Sequence, residues 1–112
     1  MSVEQFDVVD VVSIDQKTGH VILTISDHLD WSDTVGHQST LQVKFNKYLA
    51  FIESGEILTR YPDAKDRPVT IKVVFKYKPD QEGWRFLTKA KEVIESAGFS
   101  FLYEVFAESY DN

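Results

Sequence analysis

Apolar and polar residues alternate in several short stretches of this chain, and a period of two residues predicts β-strands. Residues 8–14 and 20–26 are rich in β-branched side chains, and a short polar loop with Gly19 separates them. Glycine readily adopts the positive φ that tight connections need, so we expect a hairpin. Apolar and polar residues alternate most clearly at residues 69–78, and the same pattern at residues 99–106 predicts a last strand.

Two longer stretches carry apolar residues at helical spacing. We expect the first helix to begin between residues 30 and 36, capped by Asp30 and Asp33 together, or by Ser32 or Asp33 alone. The second helix is expected to begin after Asp80 as its N-cap and to end at Gly98. The buried side of the first helix comprises Leu41, Phe45, Tyr48, Leu49 and Ile52, and that of the second comprises Leu87, Ala90, Ile94 and Ala97.

This order of elements predicts an α+β fold, a two-layer sandwich with the sequence β-β-α-(β)-β-α-β. The bracketed element is a short edge strand at residues 57–61, which makes the mixed sheet four- or five-stranded. The two helices are expected to pack on one face of this sheet. Because 112 residues suit one core and no internal linker is visible, we expect residues 1–112 to form a single domain.

The second face of the predicted sheet is partly apolar, which is unusual for a surface that meets only solvent. Strand alternation places apolar and charged residues together on it and puts Phe75 and Tyr77 on the core side. A homodimer formed through this open face explains the pattern. Its predicted interface residues are Ile22, Lys72, Val74, Leu102 and Phe106, beside Thr24, Lys76 and Glu104.

The charge and residue composition of the chain limit the classes of partner that it is expected to bind. The net charge of −6 disfavours phosphate backbones and anionic lipid, so neither nucleic acid nor a membrane is predicted as a partner. Lys72, Lys76 and Lys78 beside Phe106 are an exception to the overall charge, but the strand signature of RNA-recognition domains is missing. The acidic charge instead permits a basic protein partner. The absence of cysteine leaves the compartment open, but with no signal peptide and no run of membrane-spanning length we expect a cytoplasmic protein.

The segment between the second strand and the first helix is the best candidate site, because loops between rigid elements often carry binding groups. Its candidate residues are Asp27, His28, Asp30, Trp31, Asp33 and His37. A divalent metal held by Asp27, His28 and His37 is one alternative, but their spacing matches no known motif, so no metal or cofactor is predicted. In the structural alternative, His37 is a partly buried, hydrogen-bonded side chain and Trp31 fastens the loop to its own core.

Catalytic patterns are weak. Ser26, Asp27 and His28 are adjacent, so their side chains alternate between faces and do not form a triad. An acid–base pair of Asp27 and His28 with the distant Glu104 stays open, while phosphate-binding and dinucleotide-binding glycine motifs are absent from the sequence. We therefore predict that the chain is not an enzyme.

Residues 21–31, 48–55 and 93–99 together resemble a small bacterial family of unknown function. The resemblance covers most of the chain and implies no activity and no catalytic residue. Our prediction is a small non-enzymatic interaction domain that dimerises through its open sheet face. The alternatives are a metal-dependent enzyme or ion-binding protein at Asp27, His28 and His37, and an acidic protein that neutralises a basic partner.

Overall fold

Four strands form one mixed sheet in residues 11–105, the part of the chain that the structure, a computed structural model, describes. This architecture confirms the predicted α+β class; residues 8–10 of the predicted first strand, and Phe106, lie outside the described residues. In chain order the elements are β1 (Val11–Ile14), β2 (Val21–Asp27), α1 (Thr34–Glu53), α2 (Glu56–Arg60), a 3-10 turn (Pro62–Ala64), β3 (Val69–Phe75), α3 (Gln81–Ser96) and β4 (Ser100–Val105).

The strands lie side by side in chain order, β1-β2-β3-β4. β1 and β2 form the expected antiparallel hairpin, and Gly19 in its loop has φ of 76°. β2, β3 and β4 are parallel, so helical crossovers join them. Both crossovers advance in the same direction across the sheet, and crossovers of one hand then place their helices on one face. Stacked rings of Phe45 on α1 and Phe86 on α3 join the two long helices there.

The core lies between this helical layer and one face of the sheet. Residues in register across the parallel strands share that face, as in the row Leu23, Ile71 and Phe101. From α1, the hydroxyl of Tyr48 donates a hydrogen bond to the carbonyl oxygen of Thr24 at 3.1 Å. The remaining buried apolar residues are Val21, Ile25, Leu41, Phe45, Phe51, Ile57, Ala64, Val69, Val73, Phe75, Leu87, Ala90 and Ile94.

The predicted edge strand at residues 57–61 is wrong, because this segment forms the short helix α2. Gly55, with φ of 84°, reverses the chain after α1 and allows a second helix to begin at once. One turn of helix buries Ile57 in the core, and Arg60 lies 3.5 Å from Glu56 in an i,i+4 ion pair.

None of the helices in residues 11–105 combines the length and apolar character needed to cross a bilayer.

Candidate functional site

The candidate site lies at the edge of the sheet where β2 and β3 end. Asp27 and Phe75, the last residues of these parallel strands, are in register. Residues 28–33 lead from this edge into α1, and residues 76–80 lead into α3. Loops at the carboxyl ends of parallel strands are the usual place for ligands in open α/β sheets.

Asp27 and His37 form a buried hydrogen bond at this edge. Alternation along β2 turns Asp27 toward the helices, and helical spacing places His37 one turn before the buried Leu41. The exposed fractions are 2% for Asp27 and 3% for His37. Nε2 of His37 contacts Oδ2 of Asp27, while Oδ1 of Asp27 accepts from the backbone N–H of Leu29 at 3.0 Å.

Both ring nitrogens of His37 face oxygen atoms. Nε2 contacts the carboxyl of Asp27, and Nδ1 lies 3.0 Å from the carbonyl oxygen of Asp30. The fold therefore holds the ring through both of its polar atoms.

Trp31 covers the buried pair. Its ring stacks on that of His37 with centroids 3.7 Å apart, and its Nε1–H donates to the carbonyl oxygen of Tyr77 at 3.1 Å. These contacts join residues 28–33 to the segment after β3. They agree with the structural alternative for Trp31, in which the side chain fastens the loop to its own core.

The first turns of both long helices meet beside Trp31. Oγ1 of Thr34, the first residue of α1, lies 2.7 Å from Oδ2 of Asp80 and 3.0 Å from the carbonyl oxygen of Trp31. Asp80 is the expected N-cap of α3, because its Oδ1 accepts from the backbone N–H of Gly83 at 2.8 Å. The hydrogen bond from Thr34, followed by that from Gly83, holds the pKa of the Asp80 carboxyl below its ordinary value.

Two further acids lie on the surface of the junction and have separate roles. Asp33 caps α1 alone, accepting from the backbone N–H of Gly36 at 3.1 Å, so the paired cap with Asp30 does not form. Asp30 instead accepts from the hydroxyl of Ser32 at 2.6 Å and from its backbone N–H at 3.1 Å. The hydroxyl contact is the main reason that the pKa of Asp30 is lowered, so its carboxylate stays charged at neutral pH.

An open hollow of about 430 Å³ lies over this junction. It contains exposed carboxylates and the ring of Tyr77, which is partly exposed rather than turned to the core as predicted. The hollow therefore offers acceptor oxygens beside an aromatic ring. Its lining residues are His28, Leu29, Asp30, Asp33, Gly36, His37, Thr40 and Tyr77.

The structure brings two residues of the metal alternative, Asp27 and His37, into contact, but it keeps Glu104 of the acid–base alternative apart from them. Asp27 pairs with His37, whereas the adjacent His28 is exposed, and Glu104 lies on the opposite face of the sheet. Within residues 11–105, no group of three or more histidine, aspartate or glutamate side chains is arranged to hold a metal ion.

The open sheet face is a second candidate surface. Ile22, Lys72 and Val74 on it are half-buried, whereas Leu102 is 53% exposed. Nζ of Lys72 lies 3.3 Å from Oε1 of Glu104. The predicted interface residues in the described part of the chain therefore share one face.

A sequence model of one protein family matches residues 1–107 of this chain, and its description is "Family of unknown function (DUF6572)". The chain belongs to this family. The match confirms the resemblance to a small family without assigned activity. Comparison with curated proteins and comparison with solved structures each found no match.

Sequence reasoning missed several residues at the candidate site. Thr34 was not singled out, and neither was Gly83, although a Cβ added to Gly83 would lie 2.9 Å from the ring of Trp31. Outside the hollow, Lys44 was also missed; it is fully buried on α1, with Nζ 5.5 Å from the ring centroid of Tyr48. Its place between Leu41 and Tyr48 on the buried stripe was the available signal.

Proposed function

We propose that this chain is a small non-enzymatic interaction domain that associates with a second copy through its open sheet face. The observation that carries the proposal is the set of apolar side chains Ile22, Val74 and Leu102 on a face that no helix within residues 11–105 covers. Leu102 is 53% exposed and the other two are half-buried, and an apolar cluster that solvent partly reaches is characteristic of interaction surfaces.

The charges on this face favour a second copy as the partner. The chain carries a net charge of −6, but the open-face positions of β2, β3 and β4 contain one cation, Lys72, and one anion, Glu104, and Lys76 follows β3 directly. Two acidic chains therefore meet at a surface where these residues carry no excess of negative charge. Elsewhere on the surface, their net charge would oppose association more strongly.

The dimensions of the face limit the affinity. Four strands about 4.8 Å apart, with up to about seven residues of roughly 3.3 Å each, give a flat patch of roughly 20 by 23 Å. A standard protein interface buries about 800 Å² on each partner, which is larger than this patch. We therefore expect a dimer with a dissociation constant in the micromolar range.

Sedimentation velocity between about 1 µM and about 1 mM protein tests this proposal. The wild-type chain is expected to pass from monomer to dimer over this range, whereas Leu102→Asp stays monomeric because it places a charge in the apolar contact. Leu58→Asp is the matched control, since Leu58 is 45% exposed on α2, away from the sheet face. A wild-type chain that remains monomeric throughout the series contradicts the proposal.

The hollow at the junction supports a second candidate function, the binding of a basic protein. Its exposed carboxylates at Asp30 and Asp33 are hydrogen-bond acceptors, and Tyr77 adds an aromatic surface for a cation. Retention on a column of immobilised poly-lysine that falls with added salt, and falls further for Asp30→Asn, supports this role. Equal retention of the two proteins argues against it.

A metal-dependent activity is not part of the proposal, because it needs His37, whose ring nitrogens both have hydrogen-bonding partners.

The proposal also holds that the protein comes from a bacterium, because its sequence resembles a bacterial family. It also includes a cytoplasmic location, which fractionation of the host cell with an antibody against this chain would test.

A further inference from the structure

Four residues at the centre of the open sheet face form a nearly square arrangement, here called the tile: Lys72 and Val74 on β3, and Leu102 and Glu104 on β4. Strand register places Lys72 beside Leu102 and Val74 beside Glu104. The two charged residues therefore occupy one diagonal of the tile, and the two apolar residues occupy the other. The 3.3 Å contact between Lys72 and Glu104 spans the charged diagonal.

A two-fold axis in the plane of the interface can relate two such tiles in four simple ways, and three of them produce mismatches. An axis along the strands, between β3 and β4, places Lys72 against the partner's Leu102. An axis across the strands places Lys72 against the partner's Val74. An axis along the charged diagonal places each charge against its own copy. In the first two arrangements each charge lies against an apolar side chain of the partner, and in the third each lies against its own copy, so no charge meets an opposite charge across the interface, which is unfavourable.

The fourth axis, along the apolar diagonal, makes the tile self-complementary. It brings Val74 against the partner's Val74, and Leu102 against the partner's Leu102. It also places Lys72 opposite the partner's Glu104, and Glu104 opposite the partner's Lys72. The spacing of about 4.8 Å between strands is similar to the step of about 6.6 Å over two residues along a strand, so the tile is nearly square. Both apolar residues therefore lie within about 2 Å of this axis.

We infer that the second copy binds in this orientation, with Lys72 and Glu104 paired reciprocally across a two-fold axis. The inference rests on the proposed function, because it assigns the symmetry and the selective contact of the same face. It also sets the packing angle: an axis diagonal to the strands makes the strands of the two sheets cross at roughly a right angle, one of the two common modes of sheet packing. The two reciprocal pairs select a copy of this chain over a protein with another charge pattern.

Charge reversal tests the pairing. Lys72→Glu and Glu104→Lys each place like charges opposite one another at two points, so the dissociation constant of each variant alone is expected to rise at least about tenfold. In an equimolar mixture, a Lys72→Glu chain meets a Glu104→Lys chain with opposite charges at both points, so heterodimers are expected at concentrations where neither variant dimerises alone. Native mass spectrometry with one variant labelled with ¹⁵N measures the heterodimer directly. The double variant Lys72→Glu/Glu104→Lys is expected to dimerise like wild type.

Lys91→Glu and Glu95→Lys are the matched controls, because both residues are exposed on α3 and the substitutions make the same charge changes away from the tile. Both are expected to dimerise like wild type. If the tile variants dimerise as wild type does while Leu102→Asp is monomeric, or if the mixture stays monomeric, the reciprocal pairing is wrong and the dimer surface stands. If the wild-type chain never dimerises, the proposed function itself is wrong, and the partner of this face is then a different protein.

Discussion

His37 on α1 and Asp27 at the end of β2 are hydrogen-bonded to one another in the interior, ten residues apart in the chain. The contact joins the helical layer to the sheet where residues 28–33 leave β2. The same two residues also hold this segment, since Asp27 accepts from the backbone of Leu29 and His37 contacts the backbone of Asp30. One buried polar pair thus fixes the candidate junction from both ends.

Asp27→Ala is expected to lower the free energy of unfolding by about 3 kcal/mol, because it leaves Nε2 of His37 and the backbone N–H of Leu29 buried without their acceptor. His37→Ala should have a similar effect. Because the two residues act as one unit, the double variant should lose at least about 1 kcal/mol less than the two single losses together. Urea unfolding of all four proteins measures this coupling. Additive losses would show that the two side chains contribute independently.

Gly83→Ala is expected to destabilise the fold by about 1 to 3 kcal/mol, although alanine normally favours a helix over glycine. A Cβ at this position would lie 2.9 Å from Cζ3 of Trp31 and 3.0 Å from Cβ of Pro79. The Trp31 ring has little room to retreat, since His37 stacks on it. A shift of the Trp31 indole N–H resonance, with a lower urea midpoint, is the expected result.

Gly36→Ala provides the comparison, because the three atoms nearest to its new Cβ all belong to the carboxylate of Asp33, which can rotate away. The loss of the cap, about 1 kcal/mol, then roughly offsets the helical preference of alanine. A net change within about 0.5 kcal/mol and an unmoved Trp31 resonance are expected. Equal destabilisation by the two glycine variants would refute the role given to Trp31.

Asp33→Ala is expected to lower stability by about 1 kcal/mol, because it removes the acceptor for the backbone N–H of Gly36 at the start of α1. Asp33→Ser should restore most of the loss, since serine also caps helices well. Asp30→Ala is the control, because its carboxylate binds Ser32 rather than a helical amide. Thermal unfolding followed by circular dichroism ranks the three variants. A larger loss for Asp30→Ala would reverse the capping assignment.

Acid should weaken the fold partly through Asp80. Its folded-state pKa lies below the ordinary 3.8, so the unfolded chain binds a proton more readily in acid. The stabilising contribution is therefore fully present above the unfolded-state pKa and is lost as the pH falls through the folded-state pKa. Asp80→Asn keeps a good N-cap at neutral pH, and its melting temperature should decline less steeply below about pH 4.

Thr34→Val tests the cause of this pKa shift, because the Thr34 hydroxyl is the largest contributor. The pKa of Asp80, read from its carboxyl ¹³C shift by NMR, should rise toward its ordinary value. An unchanged titration would show that the Thr34 hydroxyl does not lower the pKa of this carboxyl.

Local sequence patterns predicted most of the architecture because their causes act over a few residues. Alternation identified β2 and β3, helical spacing and Asp80 identified α3, and Gly19 identified the hairpin. The same patterns failed at residues 57–61, where one turn of helix and a short strand bury their apolar residues at similar spacing. Gly55 has a positive φ that allows α2 to begin directly after α1, but this backbone angle does not change the spacing of apolar residues in the sequence.

The candidate junction was located by sequence, but its internal pairing was not. A histidine on a buried helical face was recognised, whereas its acceptor depended on β2 being in register with β3 and on α1 crossing above that edge. Sequence alternation likewise placed Lys72, Val74, Leu102 and Glu104 on one face. Only the register of β3 with β4 arranged them as a tile with charges on one diagonal.

The sequence by itself determined the α+β class, the approximate ends of the long elements and the polarity of each face, since side-chain periodicity and helix caps are properties of neighbouring residues. The tertiary structure decided which side chains meet. Trp31 and Tyr77, Thr34 and Asp80, and Gln38 and Glu82 are hydrogen-bonded across 44 to 46 residues of chain. Such contacts follow from the crossover path and the strand register, which no local pattern specifies.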